Sequence, residues 1–359
     1  MSAHLVVAVS AHGFGHIGQT APVVRALGKR VPGLKITVRS AAPRFKILER
    51  FGSDVQPQSV NLDIGILQKS ALEIAVAETA QAYQALHDGW QEKLQAEAKA
   101  LEALDPDLLL VNIPYLTLAA ARLAGIPAVA LGSLNWADIY GYYYRGKRRE
   151  ADSILDAMLT AYNAALRFLQ PAPRMPMEGL TNALAIGPVA QLGTARRSEI
   201  NETAGVAPED RLVMISLGGM DYRLLVEDWR DRAGLHFVVP DAWNVHCRGV
   251  TPLEELGMPF ADVMASSDAL IAKPSYASFV EATCLGIPVL YLERPNWPEV
   301  PYLLGWLEQH NRCAPLLSDA INRAGVGQLL EDLWSRPTPK AVVPTGVDEA
   351  TDYLADLLV

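Results

Sequence analysis

The chain has 359 residues, half of them hydrophobic and a fifth charged, with a formal net charge of -9 at pH 7. That length makes two domains the default for a globular chain, and the acidic balance argues against nucleic acid or an anionic membrane surface as the main partner. No apolar run approaches a membrane span, the first one (residues 5–9) is too short for a secretory leader, and Cys247, Cys284 and Cys313 lack metal-ligand spacing, so the expectation is a cytoplasmic protein with reduced thiols.

Residues 5–9, LVVAV, read as a buried strand. A loop carrying His12, Gly13, Gly15 and His16 follows, then a helix over about residues 19–29 and a strand at 35–39. This is a βαβ opening with its loop at the carboxyl end of a strand, where open α/β sheets bind ligands. The loop lacks the third glycine of the dinucleotide fingerprint. Residues 59–69 form a loop with a strand-like start and contain Asp63, and 72–104 read as one long helical region. A strand at 107–111, a helix at 115–123 and a strand at 128–131 come next. Gly125-Ile126-Pro127 recurs as Gly286-Ile287-Pro288, a hint of two related α/β halves. Asn135, Trp136 and Asp138, with tyrosines at 140 and 142–144, read either as a packed helix or as a polar and aromatic wall for a substrate. A helix over 151–169 then runs into Pro171, Pro173 and Pro176, which reads as the domain linker.

The second half restarts the alternation. A strand at 183–186 precedes one at 212–217 that opens into Gly218 and Gly219, with short strands at 236–239 and 245–247 and a helix at 260–266. The most informative stretch is a strand at 269–272, then Lys273-Pro274-Ser275, a helix over 276–285 closed by Gly286 and Pro288, and a strand at 289–292. It sets a helix N-terminus at the end of a parallel strand, a ready phosphate site. Glu281 falls within two turns of that N-terminus. It is placed either to reach a ribose hydroxyl or to lie on the surface of a plain βαβ unit. Residues 293–302 form a polar and aromatic loop with Asn296 and Glu299, and an amphipathic helix at 348–358 is expected to pack back on the first domain.

The loop Ala11-His12-Gly13-Phe14-Gly15-His16, the turn Ser216-Leu217-Gly218-Gly219, and Lys273-Pro274-Ser275 through Glu281 resemble motifs of the GT-B glycosyltransferases that include the peptidoglycan N-acetylglucosaminyltransferase. Residues 63–68, Asn135-Trp136-Ala137-Asp138 and 296–302 resemble more closely the glycosyltransferase-like region of L-arabinokinases and their stand-alone bacterial relatives. The resemblance implies an α/β GT-B fold, two Rossmann-like domains with mostly parallel sheets facing across a cleft. Residues 1–170 would be the acceptor-side domain, 177–340 the donor domain, and 345–359 a returning helix. It implies transfer of a sugar from a nucleotide sugar, UDP-linked, to an unidentified acceptor, without metal or cofactor. The Asp105-Pro106-Asp107 pair is read as a turn. In that scheme Gly218, Gly219, Lys273, Ser275 and Tyr276 hold the diphosphate, Glu281 holds the ribose, and Asn296 and Glu299 meet the sugar. Pro274-Ser275-Tyr276 stands where Ser-Gly-Ala is common, and Glu299 stands near the place of a Gln-Gln pair. His16 is the expected general base, with His12 as an orienting group and Asp63 and Asp138 as alternatives. Two other functions share the fold: UDP-sugar epimerisation, and nucleotide-sugar binding without turnover.

Overall fold

The structure, a computed structural model, describes residues 2–69, 73–218, 223–229 and 232–358; the side chains of 318–324 are outside that description. The chain divides into two compact units, residues 1–189 with 344–359, and residues 190–343.

Unit 1 alternates strand and helix. Its elements are β1 (His4–Val9), α1 (Gly15–Arg30), β2 (Lys35–Ser40), α2 (Arg44–Phe51), β3 (Gln56–Ser59), α3 (Val76–Asp88), α4 (Trp90–Glu102), β4 (Leu108–Asn112), α5 (Tyr115–Ala124), β5 (Ala128–Leu131), α6 (Trp136–Tyr144), α7 (Ala151–Asn163), β6 (Phe168–Pro171) and β7 (Ala183–Ile186). The seven strands form one parallel sheet in the order β3-β2-β1-β4-β5-β6-β7. The order reverses between β1 and β4, so the carboxyl ends of those two strands flank the topological switch point. β1 is buried on both faces, as the strand of a helix-covered parallel sheet must be. Leu5, Val7 and Val9 pack with Ile17, Val24 and Leu27 of α1. A buried bidentate pair from Arg39 to Glu97, at 2.6 and 2.9 Å, pins β2 to α4, and Thr117 of α5 donates to the same carboxylate.

Unit 2 contains α8 (Arg197–Ala204), β8 (Arg211–Ser216), β9 (Leu235–Val239), β10 (Val250–Pro252), α9 (Phe260–Ala265), β11 (Ala269–Ala272), α10 (Tyr276–Cys284), β12 (Val289–Tyr291), α11 (Val300–His310), β13 (Cys313–Pro315) and α12 (Ser318–Trp334). Its six strands are parallel in the order β10-β9-β8-β11-β12-β13, with the reversal between β8 and β11. The period of two is plain in the packing: Leu212 and Met214 enter one core, Val213 and Ile215 the other. The last helix, α13 (Gly346–Asp356), belongs to unit 1, where Ala350 and Leu354 join the core beside α1.

Several sequence expectations need correction. The proline-rich stretch does not separate the units. The helix from 151 stops at Asn163, Phe168–Pro171 is a strand, and β7 pairs with it, so the division falls after Val189. Pro171 ends its strand past the last residue paired with β5, since that pairing stops at Leu131 and Leu169. The long helical region breaks at Gly89 into α3 and α4. The strand expected at 245–247 is displaced to Val250–Pro252. The first helix begins at Gly15, not near residue 19, which puts His16 in its first turn.

Candidate functional site

In unit 1 the loops after β1, β4 and β5 deliver polar groups to the switch point. His16 is only 9% exposed. Its Nδ1 lies 2.8 Å from Asn112 Oδ1, at the end of β4. Asn112 Nδ2 donates to Gln19 Oε1 at 3.2 Å, and Gln19 Nε2 donates to Ser133 Oγ at 2.6 Å. Burial pulls the His16 imidazole down from 6.5 to about 4, an effect the Asn112 bond only partly offsets. The ring is therefore neutral at ordinary pH.

Trp136, fully buried, ties the other residues together. Its ring stands edge-on to His12, with centroids 5.2 Å apart, and 5.7 Å from His16. Its Nε1–H donates to Asp63 Oδ2 at 2.8 Å. Burial pushes the Asp63 carboxyl up from 3.8 to about 6, against the hydrogen bonds from Trp136 and Ser10 that favour the charged form. His12 is held by Gln68, whose Nε2 donates to His12 Nε2 at 3.2 Å, and by Gly65, which has φ +62°. A Cβ on Gly65 would come within 2.8 Å of the His12 ring. Gly13 also takes a positive φ, +77°, at the turn into α1, and Gly15 is the first residue of that helix. The structure thus gathers His12, His16, Asp63 and Trp136 into one cluster.

Asn135 and Asp138 pair with each other at the start of α6. Asn135 Oδ1 accepts from the Asp138 backbone N–H, and its Nδ2 donates to Asp138 Oδ2, both at 2.8 Å. This reciprocal cap opens α6, with Asp138 in the N3 place. Burial raises the Asp138 carboxyl, with the Asn135 bond opposing it.

In unit 2, Gly218 follows β8 and Lys273 follows β11, so both sit at that sheet's switch point. Gly218 has φ +71°, and a Cβ there would meet Lys273 Cε at 3.0 Å, so the lysine stem crosses directly over the glycine. Lys273 is only 6% exposed, and its ammonium is pulled down from 10.5 to about 7, first by burial and then by the charge of Arg294. Ser275 is the N-cap residue of α10 by position, with extended φ and ψ, yet its hydroxyl makes no capping bond. Tyr276, the first residue of α10, is buried. Glu281, 1% exposed, lies inside α10 and is no surface residue. In the next loop Arg294 stacks on Trp297, 4.3 Å from the ring centroid, and Trp297 Nε1 donates to the buried Glu299 at 3.2 Å. Asn296 is exposed. Gly219 lies outside the described residues.

Sequence reading missed Ser10, Gln19, Asn112, Ser133, Arg294 and Trp297. A usable signal was present for three of them. Ser10, Asn112 and Ser133 are the first polar side chains at or just beyond the end of an apolar strand, the position from which open α/β sheets address ligands.

Two parallel, helix-covered sheets in one chain, each with its polar cluster at the switch point, make the GT-B fold. No protein-family model matches the chain. The chain is similar to L-arabinokinase of Arabidopsis thaliana, 25% identical over 320 residues, which is 86% of this chain and 30% of that protein. The chain thus spans about a third of the length of that curated relative. Among solved structures it is similar to the glycotransferase of kitacinnamycin, with a TM-score of 0.60 at 16% identity over 99% of this chain and 95% of that one. It is also similar to a putative UDP-N-acetylglucosamine 2-epimerase from Listeria monocytogenes, with a TM-score of 0.57 at 16% identity over 99% and 95% of the two chains. Among the described residues, no helix is long and apolar enough to cross a membrane.

Proposed function

We propose that the protein transfers a sugar from a nucleoside-diphosphate sugar, UDP-linked, to an acceptor hydroxyl. The observation that carries this reading is the unit 2 cluster, in which the buried Lys273 ammonium crosses Gly218 at the switch point, next to the N-terminus of α10. A diphosphate is the ligand that such a place suits. It returns charge to a desolvated lysine, receives the backbone N–H groups of the helix start, and accepts from the Ser275 hydroxyl that leaves the helix uncapped. As the bond to the anomeric carbon breaks, negative charge grows on this diphosphate, and donors already in place stabilise it without reorganisation. Glu281 takes the ribose hydroxyls, and Asn296 and Glu299 the sugar.

Unit 1 supplies the proton acceptor. A neutral imidazole with a free lone pair can take the proton of the attacking hydroxyl, which makes His16 the base. Asp63, poised near neutrality and fixed by Trp136, is the alternative carrier. His12 and Trp136 orient the acceptor, with Gly13 and Gly15 shaping their loop and the Asn135–Asp138 cap holding Trp136 at the start of α6.

Incubation with a panel of nucleotide sugars and candidate acceptors, reading free nucleoside diphosphate, tests the proposal. Release that depends on the acceptor is the expected result. A second reading, epimerisation of a UDP-sugar, is favoured by the likeness to the 2-epimerase structure. It predicts a changed sugar with little diphosphate released. Stabilisation by nucleotide sugar with no chemistry would instead mark a binding protein.

A further inference from the structure

The His16 neighbourhood contains a buried relay in which every partner is an amide or a hydroxyl. The relay runs from His16 Nδ1 to Asn112 Oδ1 (2.8 Å), from Asn112 Nδ2 to Gln19 Oε1 (3.2 Å), and from Gln19 Nε2 to Ser133 Oγ (2.6 Å). Asn112, Gln19 and Ser133 are all buried, so each bond is shielded from competing water. Read in the opposite sense, with both amides turned over, the relay would make His16 Nδ1 an acceptor and put the ring proton on Nε2. A fixed group at the His16 end favours one of the two senses. The His16 backbone carbonyl, which can only accept, lies 3.5 Å from Asn112 Nδ2. A turned amide would face that carbonyl with its own oxygen, so the favoured sense has Nδ1–H donating to Asn112.

We propose that Asn112, anchored by Gln19 and Ser133, is a positioning residue that holds the proton of His16 on Nδ1 and presents the Nε2 lone pair as the ring's proton acceptor. The idea rests on the glycosyl-transfer reading only for what Nε2 then does; the tautomer itself does not depend on it. The choice of an amide matters. A carboxylate at the same place would also accept from Nδ1–H, but its charge would stabilise the imidazolium and hold His16 protonated to higher pH. An amide orients the ring without adding charge, so the lone pair stays available down to acidic pH. The Trp136 ring, 5.7 Å from the imidazole, adds shape and excludes water on another side. The titratable group joined to that same indole is Asp63, through the Trp136 Nε1–H bond; His12 packs on its edge.

The test is a long-range proton–nitrogen correlation spectrum of the uniformly labelled protein, with the His16 signals assigned by their loss in His16→Ala. It needs no substrate, so it stands or falls apart from the nucleotide-sugar panel. The expected wild-type spectrum at neutral pH shows a protonated Nδ1 and an unprotonated Nε2. Asn112→Asp is expected to raise the His16 titration midpoint by roughly 1–3 pH units, the effect of an adjacent opposite charge. Gln19→Met is expected to free Asn112 and give a mixture of the two tautomers. In any activity assay Asn112→Asp should carry the acid limb upward with the His16 midpoint, a shift that a merely structural role would not produce. A wild-type ring protonated on Nε2 overturns the proposal with no variant needed. A folded Asn112→Asp protein whose His16 midpoint is unmoved also overturns it.

Discussion

His16 and Asp63 both touch Trp136, yet burial moves them in opposite senses, because it disfavours the charged form of each. The imidazole falls to about 4 and the carboxyl rises to about 6. Each is a base only when deprotonated, so the acid limb of kcat/KM names the one in use. With His16 as base the limb is expected near pH 4 and persists in Asp63→Asn. A limb near 6 that vanishes in Asp63→Asn would transfer the role to the carboxylate. His16→Ala should lower turnover by about 10²–10⁴ while leaving UDP affinity near normal. Lys273 gives a second residue-scale test. Its folded-state value near 7 lies below that of an exposed lysine, so the ammonium is lost as pH rises through 7. A diphosphate restores it. UDP binding at pH 8, measured calorimetrically in buffers of different ionisation enthalpy, should therefore take up protons, and Lys273→Met should abolish the uptake.

Helix α10 and the loop around Gly65 carry the predictions at the scale of elements. Glu281 points from the second turn of α10 into a buried place, so truncation to alanine would mix a cavity with a lost contact. Glu281→Gln keeps the volume and removes the charge. It should weaken UDP binding by about 1.5–3 kcal/mol, the scale of a hydrogen bond to a charged group, with the melting temperature little changed. Unaltered calorimetric affinity would remove Glu281 from the ribose. In the first unit, Gly65→Ala meets two obstacles at once, the left-handed φ of +62° and the His12 ring. A loss of about 1–2 kcal/mol is expected from the backbone alone. It would appear as a lower denaturant midpoint, together with a changed His12–Trp136 contact.

For the whole molecule, the last helix is the element that closes unit 1 from the far end of the chain. Leu354 and Ala350 are fully buried beside α1, and Glu349 accepts from the Gly187 N–H at 3.1 Å at the end of β7. The Gly346 N–H donates to the Pro188 carbonyl, and no side chain fits at either Gly187 or Gly346. Leu354→Ala should cost unit 1 about 2–5 kcal/mol, as other large-to-small core changes do. Because the core of unit 2 contains no residue of α13, hydrogen exchange should quicken in unit 1 and stay unchanged in unit 2. Uniform loss of protection through both units would show that they unfold as one.

Local chemistry made much of this architecture legible in advance. The apolar runs at 5–9, 108–111, 212–215 and 269–272 announce buried parallel strands, since strands covered on both faces read as near-continuous apolar runs. Lys273-Pro274-Ser275, with Gly286 and Pro288, marks a strand, a helix start and a helix stop by backbone constraints alone. Strand β6 was not legible: FLQP takes its identity from β5 on one side and β7 on the other, so its neighbours, not its own residues, decide it. The same holds at the site. His12, His16, Asp63 and Trp136 are visible one by one in the sequence, but their gathering around one indole is a tertiary fact. So is the pairing of His16 with Asn112, 96 residues away. Burial decides the charge each group carries, and burial depends on the packing of the whole unit. For that reason the sequence could name the groups but not their protonation.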